Sequence, residues 1–353
     1  MSRDFVYQSN PSTVVFGAGK RAEAGEWVRK LGRSRALVLS TPHQAGDAKA
    51  LSQTLGTLSA GIFSGAVMHT PTDVTETAVK ALEDAKADCV ISFGGGSTTG
   101  LGKAIALLTG VTQIAIPTTY AGSEVTPILG QTENGRKTTI RDMKVLPNVV
   151  IYDPELTVGL PVPMTVASAL NAMAHSMEGL YARDRNPIST MMAIESFRSF
   201  KASLPGLIAD PHNLDLRAEA QYACWLAGTV LGTVGMALHH KICHTLGGSF
   251  DTPHAETHAI MLPYTTAYNN VAVPEQLAPI GEIFGAGAGA ALYDFAKSLG
   301  SPLSLKDIGL TEADLDRAAD IAAENPYWNP RPIDRTSIRQ LLQNAWAGQR
   351  PNN

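Results

Sequence analysis

Apolar residues are distributed along this chain in two textures. Over the first 150 residues, short β-branched runs alternate with stretches of helical spacing. Ala36-Leu37-Val38-Leu39 reads as a strand ending at Ser40-Thr41-Pro42, and a second lies near Gly61-Ile62-Phe63. Residues 74–87 carry apolar positions at Val74, Ala78, Val79, Leu82 and Ala85, a helical period. Cys89-Val90-Ile91-Ser92-Phe93 is a continuous apolar run of the kind buried on both faces of a parallel sheet. It leads into Gly94-Gly95-Gly96-Ser97 and a helix through about Leu108, and Gln113-Ile114-Ala115-Ile116 follows as the next strand, closed by Pro117. Strand–loop–helix alternation predicts a doubly wound α/β domain.

Past Val149-Val150-Ile151-Tyr152-Asp153-Pro154 the period changes. Residues 165–181, 189–203, 214–238 and 311–323 read as helices, and no strand pattern recurs. With Pro161 and Pro163 as the junction, the expected plan is an α/β dinucleotide-binding domain over 1–160 and an all-α domain over 161–353. Residues 220–238 carry no charge and match a membrane span in length. Their glycines, threonines, Gln221 and Tyr222, and the lack of a second such span, favour a buried core helix.

Composition narrows the class. A chain of 353 residues with 44% hydrophobic residues and mean hydropathy near zero reads as a folded globular protein without a membrane span. A net charge of −4, with no basic run, argues against nucleic acid as a partner. Cys89, Cys224 and Cys243 form no CxxC pair and suit a reducing cytoplasm, and the N-terminus has no signal-peptide pattern.

Two loops carry candidate cofactor chemistry. Gly94, Gly95, Gly96 and Ser97 stand between a buried strand and a helix, where backbone amides can approach a phosphate or simply make a tight turn. The loop Pro117–Thr126, with Thr118, Thr119 and Ser123, ends the next strand. Two such loops on one edge of a parallel sheet mark a nucleotide crevice, although neither GxGxxG nor a P-loop pattern is present. Lys103 is placed either to reach phosphate or ribose, or in solvent. Ser40 and Thr41 stand where an acid would hydrogen-bond a ribose and repel a 2′-phosphate, so NADH and NADPH are both expected to be accepted.

Histidines carry the rest. Asn171 and His175 share a helix face at i, i+4; His240 and His244 repeat that spacing, and His254 follows Pro253. Imidazoles so placed suit either a divalent metal or proton transfer.

Gly94–Ser97, the Pro117–Thr126 loop, Val149–Thr157, Asn171–Glu178 and His240–Pro263 occur in the order of the iron-containing alcohol dehydrogenase family, which the chain resembles over nearly its whole length. That resemblance implies the family's dehydroquinate synthase-like fold. The family holds its metal with one aspartate and three histidines; the histidine positions match His175, His240 and His254, and the aspartate position matches Asn171. His244 matches a further histidine close to substrate. Gly100 also stands where the family usually has an aspartate. Together with Tyr120, inserted in the second loop, these departures resemble the branch that reduces the carbon–carbon double bond of maleylacetate to give 3-oxoadipate. The implied enzyme uses NADH or NADPH and no metal, and is a cytoplasmic homodimer. His244, then His254, would donate the proton; His175 and His240 would bind substrate, and Asn171 would donate a hydrogen bond. Lys241, beside His239 and His240, is either a substrate carboxylate partner or a solvated surface lysine, and Tyr120 faces substrate. The competing readings are a metal-dependent alcohol dehydrogenase of the same family and a nucleotide-binding protein without catalysis.

Overall fold

The computed structural model describes residues 5–133, 136–285 and 287–352. Two compact units divide at Leu160/Pro161, with residues 5–8 grouped with the C-terminal one.

The first unit holds strands β1 (Thr13–Phe16), β2 (Ala36–Leu39), β3 (Ser59–Phe63), β4 (Cys89–Gly94), β5 (Thr112–Pro117), β6 (Ile128–Glu133), β7 (Arg136–Arg141) and β8 (Val149–Tyr152). Its helices are α1 (Ala24–Lys30), α2 (Ala45–Leu55), α3 (Thr72–Asp84) and α4 (Gly96–Thr109). A parallel sheet runs in the order β1-β8-β5-β4-β2-β3, and β6 and β7 pair as a separate antiparallel ribbon. Successive strand residues serve opposite faces. Val38, Ile91 and Ile114 pack against Val28, Ala48, Leu51 and Leu55 of α1 and α2. Leu37, Leu39 and Val90 pack against Ala78 and Leu82 of α3 and Leu101 and Ile105 of α4. Apolar residues on both faces explain why β2 and β4 read as continuous runs instead of alternating ones. After β2 the chain steps outward to β3, then returns to the other side of β2 for β4. That reversal makes the C-terminal ends of β2 and β4 a topological switch point.

The second unit is helical: α5 (Val162–Tyr181), α6 (Pro187–Ala209), α7 (Leu214–Thr233), α8 (Leu238–Phe250), α9 (His254–Asn270), α10 (Pro274–Phe284), α11 (Ala288–Ser298), α12 (Asp314–Ala323) and α13 (Arg335–Trp346). Helix α5 is buried from Thr165 to Tyr181. Its Gly179 lies against Val230 of α7, where a Cβ would collide with the valine side chain. Asn186 starts α6 with a reciprocal capping box to Ser189.

The continuous helix expected over 214–238 does not form. Helix α7 ends at Thr233 and α8 starts at Leu238, with a bend of 96° between them. Side chains from elsewhere take the amides that would continue the helix. Asp184 accepts from Gly235 N at 2.9 Å, Glu178 from Ala237 N at 3.0 Å and His239 N at 2.7 Å, and Asn329 from Leu238 N at 3.4 Å. The buried carboxylate of Glu178 outweighs neutral helical carbonyls as an acceptor, and it also faces the positive end of α8. Among the described residues, no single helix is long and apolar enough to cross a membrane.

Candidate active site

At the switch point, Gly94 ends β4 with φ +151, and a Cβ there would meet Thr98 Oγ1 at 2.5 Å and Gln44 Oε1 at 2.8 Å. Glycine is therefore required by close packing as well as by backbone conformation. Gly96 is exposed, and no side chain caps α4. Thr98 N and Thr99 N bond back to Gly95 O, so the uncapped start of the helix at Gly96 and Ser97, with the helix dipole behind it, is the part that fits a phosphate. Thr98 Oγ1 is buried there without a partner. Thr41 and the half-buried Gln44 line the end of β2, and Gln44 Nε2 donates to Thr118 Oγ1 at 3.0 Å, linking the ends of β2 and β5. Ser97 and Thr119 are half-buried on the same edge. Gln44 was not anticipated, since a neutral amide past a strand end carries no motif.

Three expectations for this unit need correction. Ser40 is wholly buried and its hydroxyl donates to Ser64 Oγ at 2.9 Å, so Thr41 is the residue the strand end offers to a ribose. Lys103 is wholly buried, and its ammonium donates to Ser123 O, Thr126 O and Ile128 O at 2.5, 2.8 and 2.7 Å, with the Ser123 and Thr126 hydroxyls also in reach. It clamps the second loop and has no donor to spare for phosphate; Ser123 is half-buried under that clamp. Burial pushes the Lys103 ammonium down to about 7, opposed by Glu124. Tyr120 is wholly buried with its hydroxyl donating to Thr157 Oγ1 at 3.2 Å, so it braces the loop instead of facing substrate. Gly100 also has a local reason: a Cβ there would run into the Thr70 hydroxyl, leaving no room for an aspartate.

The helical unit gathers the histidines. Asn171, His175 and Glu178 lie at i, i+4 and i+7 on α5; His239, His240 and His244 are on α8; His254 and His258 are on α9. Ring centroids of His175 and His240 are 5.3 Å apart, those of His240 and His244 5.8 Å, of His240 and His258 5.0 Å, and of His254 and His258 4.5 Å. The break between α7 and α8 turns His239 and His240 inward at the start of α8, so one carboxylate both caps that helix and grips a ring. Glu178, wholly buried, accepts from His240 Nδ1 at 2.6 Å. His244 is half-buried with Nδ1 3.3 Å from the Tyr327 hydroxyl, and His254 is exposed. His244 and His254, the expected proton donors, are thus more exposed than His175 and His240. Lys241 is half-buried with its ammonium 5.8 Å from the Tyr327 ring centroid. Burial pushes its value down, opposed by Glu324.

Burial, reinforced by neighbouring imidazoles, pushes His175, His239 and His258 well below the usual histidine range, so they are neutral. Asn171 Oδ1 and His175 Nδ1 are buried without hydrogen-bond partners among the described residues.

Residues 11–154 match the family description "Iron-containing alcohol dehydrogenase", and residues 165–346 match "Fe-containing alcohol dehydrogenase family, C-terminal". The chain belongs to the iron-containing alcohol dehydrogenase family. It is an oxidoreductase of that family. It is similar to a maleylacetate reductase of Rhizobium sp., at 61% identity over 98% of this chain and 99% of the relative. A maleylacetate reductase of Sphingobium indicum is 51% identical over 98% and 99%. Among solved structures, a maleylacetate reductase from Agrobacterium tumefaciens superposes with a TM-score of 0.97 at 60% identity, covering 99% of this chain and 100% of that one.

The family name raises the question of iron. If Asn171 stands at the family's aspartate position, as the resemblance implies, an amide and imidazoles would face the cation with no directly ligating carboxylate to offset its charge. Among the described residues, one trio brings its ligand atoms within 4.8 Å of one another: His239, Cys243 and His258. None of these is at a family metal position, and His239 Nε2 and His258 Nδ1 are 3.0 Å apart, a hydrogen-bond distance. These neutral donors supply no charge to offset that of a divalent cation.

Proposed function

We propose that this enzyme reduces the carbon–carbon double bond of maleylacetate to give 3-oxoadipate, using a nicotinamide cofactor and no metal. The observation that carries the reading is the site's composition: imidazoles around Asn171, an amide where the family needs a carboxylate, in a chain 61% identical to a maleylacetate reductase. Thr41, Gly94–Ser97, Thr118 and Thr119 would hold the dinucleotide. With no acid at the end of β2, NADPH is tolerated beside NADH.

Maleylacetate is a conjugated enone flanked by two carboxylates. The bound nicotinamide supplies a hydride to the alkene carbon β to the ketone. Negative charge then develops on the ketone oxygen, and hydrogen-bond donors fixed in advance stabilise it more than mobile water does. Glu178 holds His240 by Nδ1 and so fixes the orientation of that ring. Asn171 adds an amide donor from α5. His244, held by Tyr327 at Nδ1, delivers the proton to the α-carbon, with His254 as the second candidate. Lys241 offers its charge to a substrate carboxylate. A cytoplasmic homodimer acting on this small molecule completes the reading.

One observation favours a second reading. A carboxylate gripping the Nδ1 of a histidine, as Glu178 does, is also how proteins orient metal-bound imidazoles. That arrangement suits a metal-dependent alcohol dehydrogenase with Asn171 as an oxygen ligand. Oxidation of NADH by the purified protein on addition of maleylacetate tests the first reading. Turnover of simple alcohols with a metal requirement, and none with maleylacetate, would replace it by the second.

A further inference from the structure

Between α12 and α13, residues 325–333 (Asn-Pro-Tyr-Trp-Asn-Pro-Arg-Pro-Ile) form neither helix nor strand. Among the described residues, no backbone–backbone hydrogen bond involves this stretch, and residues 324–328 are exposed. Side chains must therefore hold it. Asn329, half-buried, uses both ends of its amide. Its Oδ1 accepts from Asn269 Nδ2 at 3.0 Å and from Leu238 N at 3.4 Å. Its Nδ2 donates to Asn269 Oδ1 at 2.7 Å and to Arg331 O at 2.6 Å. The two asparagines thus close a reciprocal amide pair, which needs a donor and an acceptor on each side chain. Asn269 is wholly buried on α9, and its Nδ2 also donates to the Tyr181 hydroxyl at 2.9 Å. Burial, reinforced by Glu178, pushes the Tyr181 phenol well above its usual range, so it stays protonated and donates to Glu178 Oε1 at 3.4 Å. The anchor beneath Asn329 is therefore continuous with the carboxylate that grips His240. On the C-terminal side of Asn329, the Arg331 guanidinium lies 3.9 Å from the Tyr268 ring centroid and donates to Tyr268 O at 3.1 Å. On the other side, Tyr327 meets α8 twice. Its hydroxyl is 3.3 Å from His244 Nδ1, and its ring centroid is 5.8 Å from Lys241 Nζ, within the distance at which an aromatic face attracts a cation.

We infer that Asn329 is a positioning residue for the substrate: locked to Asn269, it holds Tyr327 against α8, and the Tyr327 ring directs the Lys241 ammonium toward a substrate carboxylate. An exposed aromatic on a stretch without backbone pairing keeps one place only if a neighbour in the chain is fixed. A lysine stem of four carbons swings its charge widely unless its end is held. Asn329 supplies the first restraint and Tyr327 the second. Asn329 itself touches no reacting atom. The kinetic consequence rests on the reductase reading above, whereas the anchoring of the stretch does not.

Asn329→Ala removes the anchor. Its KM for maleylacetate should rise about tenfold, with kcat within about twofold and KM for NADH unchanged, as expected when a contact made equally in ground and transition states is lost. Tyr327→Leu should reproduce that rise. Adding Asn329→Ala to Tyr327→Leu should then raise KM by less than about twofold more, because both changes act through one ring. An asparagine that merely supports the fold would give independent, multiplying effects, and that result would overturn the inference. So would an unchanged KM in either single variant. Limited digestion with chymotrypsin reads the anchoring without substrate: cleavage after Tyr327 and Trp328 should be about tenfold faster in Asn329→Ala than in the parent. Equal rates would overturn the inference whatever the substrate proves to be. Faster cleavage in the variant, with a parent enzyme that leaves maleylacetate untouched, would refute the reductase reading alone.

Discussion

Glu178→Gln removes a charge from the centre of the helical unit and leaves shape almost unchanged. The carboxylate accepts from Ala237 N, His239 N and His240 Nδ1 at 3.0, 2.7 and 2.6 Å. Each of these bonds loses its charge assistance, about 1 kcal/mol apiece from the difference between charged and neutral hydrogen bonds. The new amide NH2 must also face one of these N–H donors, leaving a buried donor unpaired at about 1–3 kcal/mol. The sum is about 4–6 kcal/mol. At about 2–4 °C per kcal/mol for a unit of this size, the thermal midpoint should fall by about 8–24 °C. Because the same oxygen aims His240, kcat should also fall by about 10–100-fold, with cofactor affinity unchanged. Calorimetry and steady-state kinetics on one preparation measure both. A midpoint within a degree of the parent would show that Glu178 is not the acceptor that breaks α7 from α8. A kcat within twofold would show that His240 does not depend on it.

Asn171→Asp should restore a carboxylate at the family's metal position: without metal the buried charge destabilises the fold, and Zn²⁺ or Fe²⁺ should raise the thermal midpoint of the variant but not of the parent. An equal response of the two proteins to metal would contradict the reading of Asn171. His175, His239 and His258 lie well below the usual range in the folded chain, so the unfolded chain takes up protons first as pH falls. Stability should therefore hold above pH about 6.5 and drop below it, by up to about 4 kcal/mol per pH unit if all three contribute. Urea midpoints that stay level from pH 8 to 5 would refute this. Lys241→Met should raise KM for maleylacetate about tenfold with kcat within twofold, and an unchanged KM would place Lys241 on the surface only.

Much of the sheet was legible, because β2, β4 and β5 are apolar on both faces and stand out as runs. The histidines were legible by their spacing. The break after Thr233 was not, since its cause lies in Asp184, Glu178 and Asn329, carboxylates and an amide distant in sequence that take the amides of 235–239. Glu178 itself had a signal: it follows Asn171 at i+7 and His175 at i+3, on their face of α5. His258 follows His254 at i+4 in the same way. Lys103 misled because a helix lysine near a glycine loop reads as a phosphate ligand, and only the folded loop shows the carbonyls that consume it. The β6–β7 ribbon did not stand out in the sequence because its strands lack alternating apolar positions.

The account stands most directly on one assay: NADH oxidation with maleylacetate by protein exhaustively treated with chelator. Full turnover in the chelated enzyme, with no gain on adding Fe²⁺ or Zn²⁺, is the predicted result. Turnover lost on chelation and restored by either ion would contradict it, and would make Asn171 a working ligand.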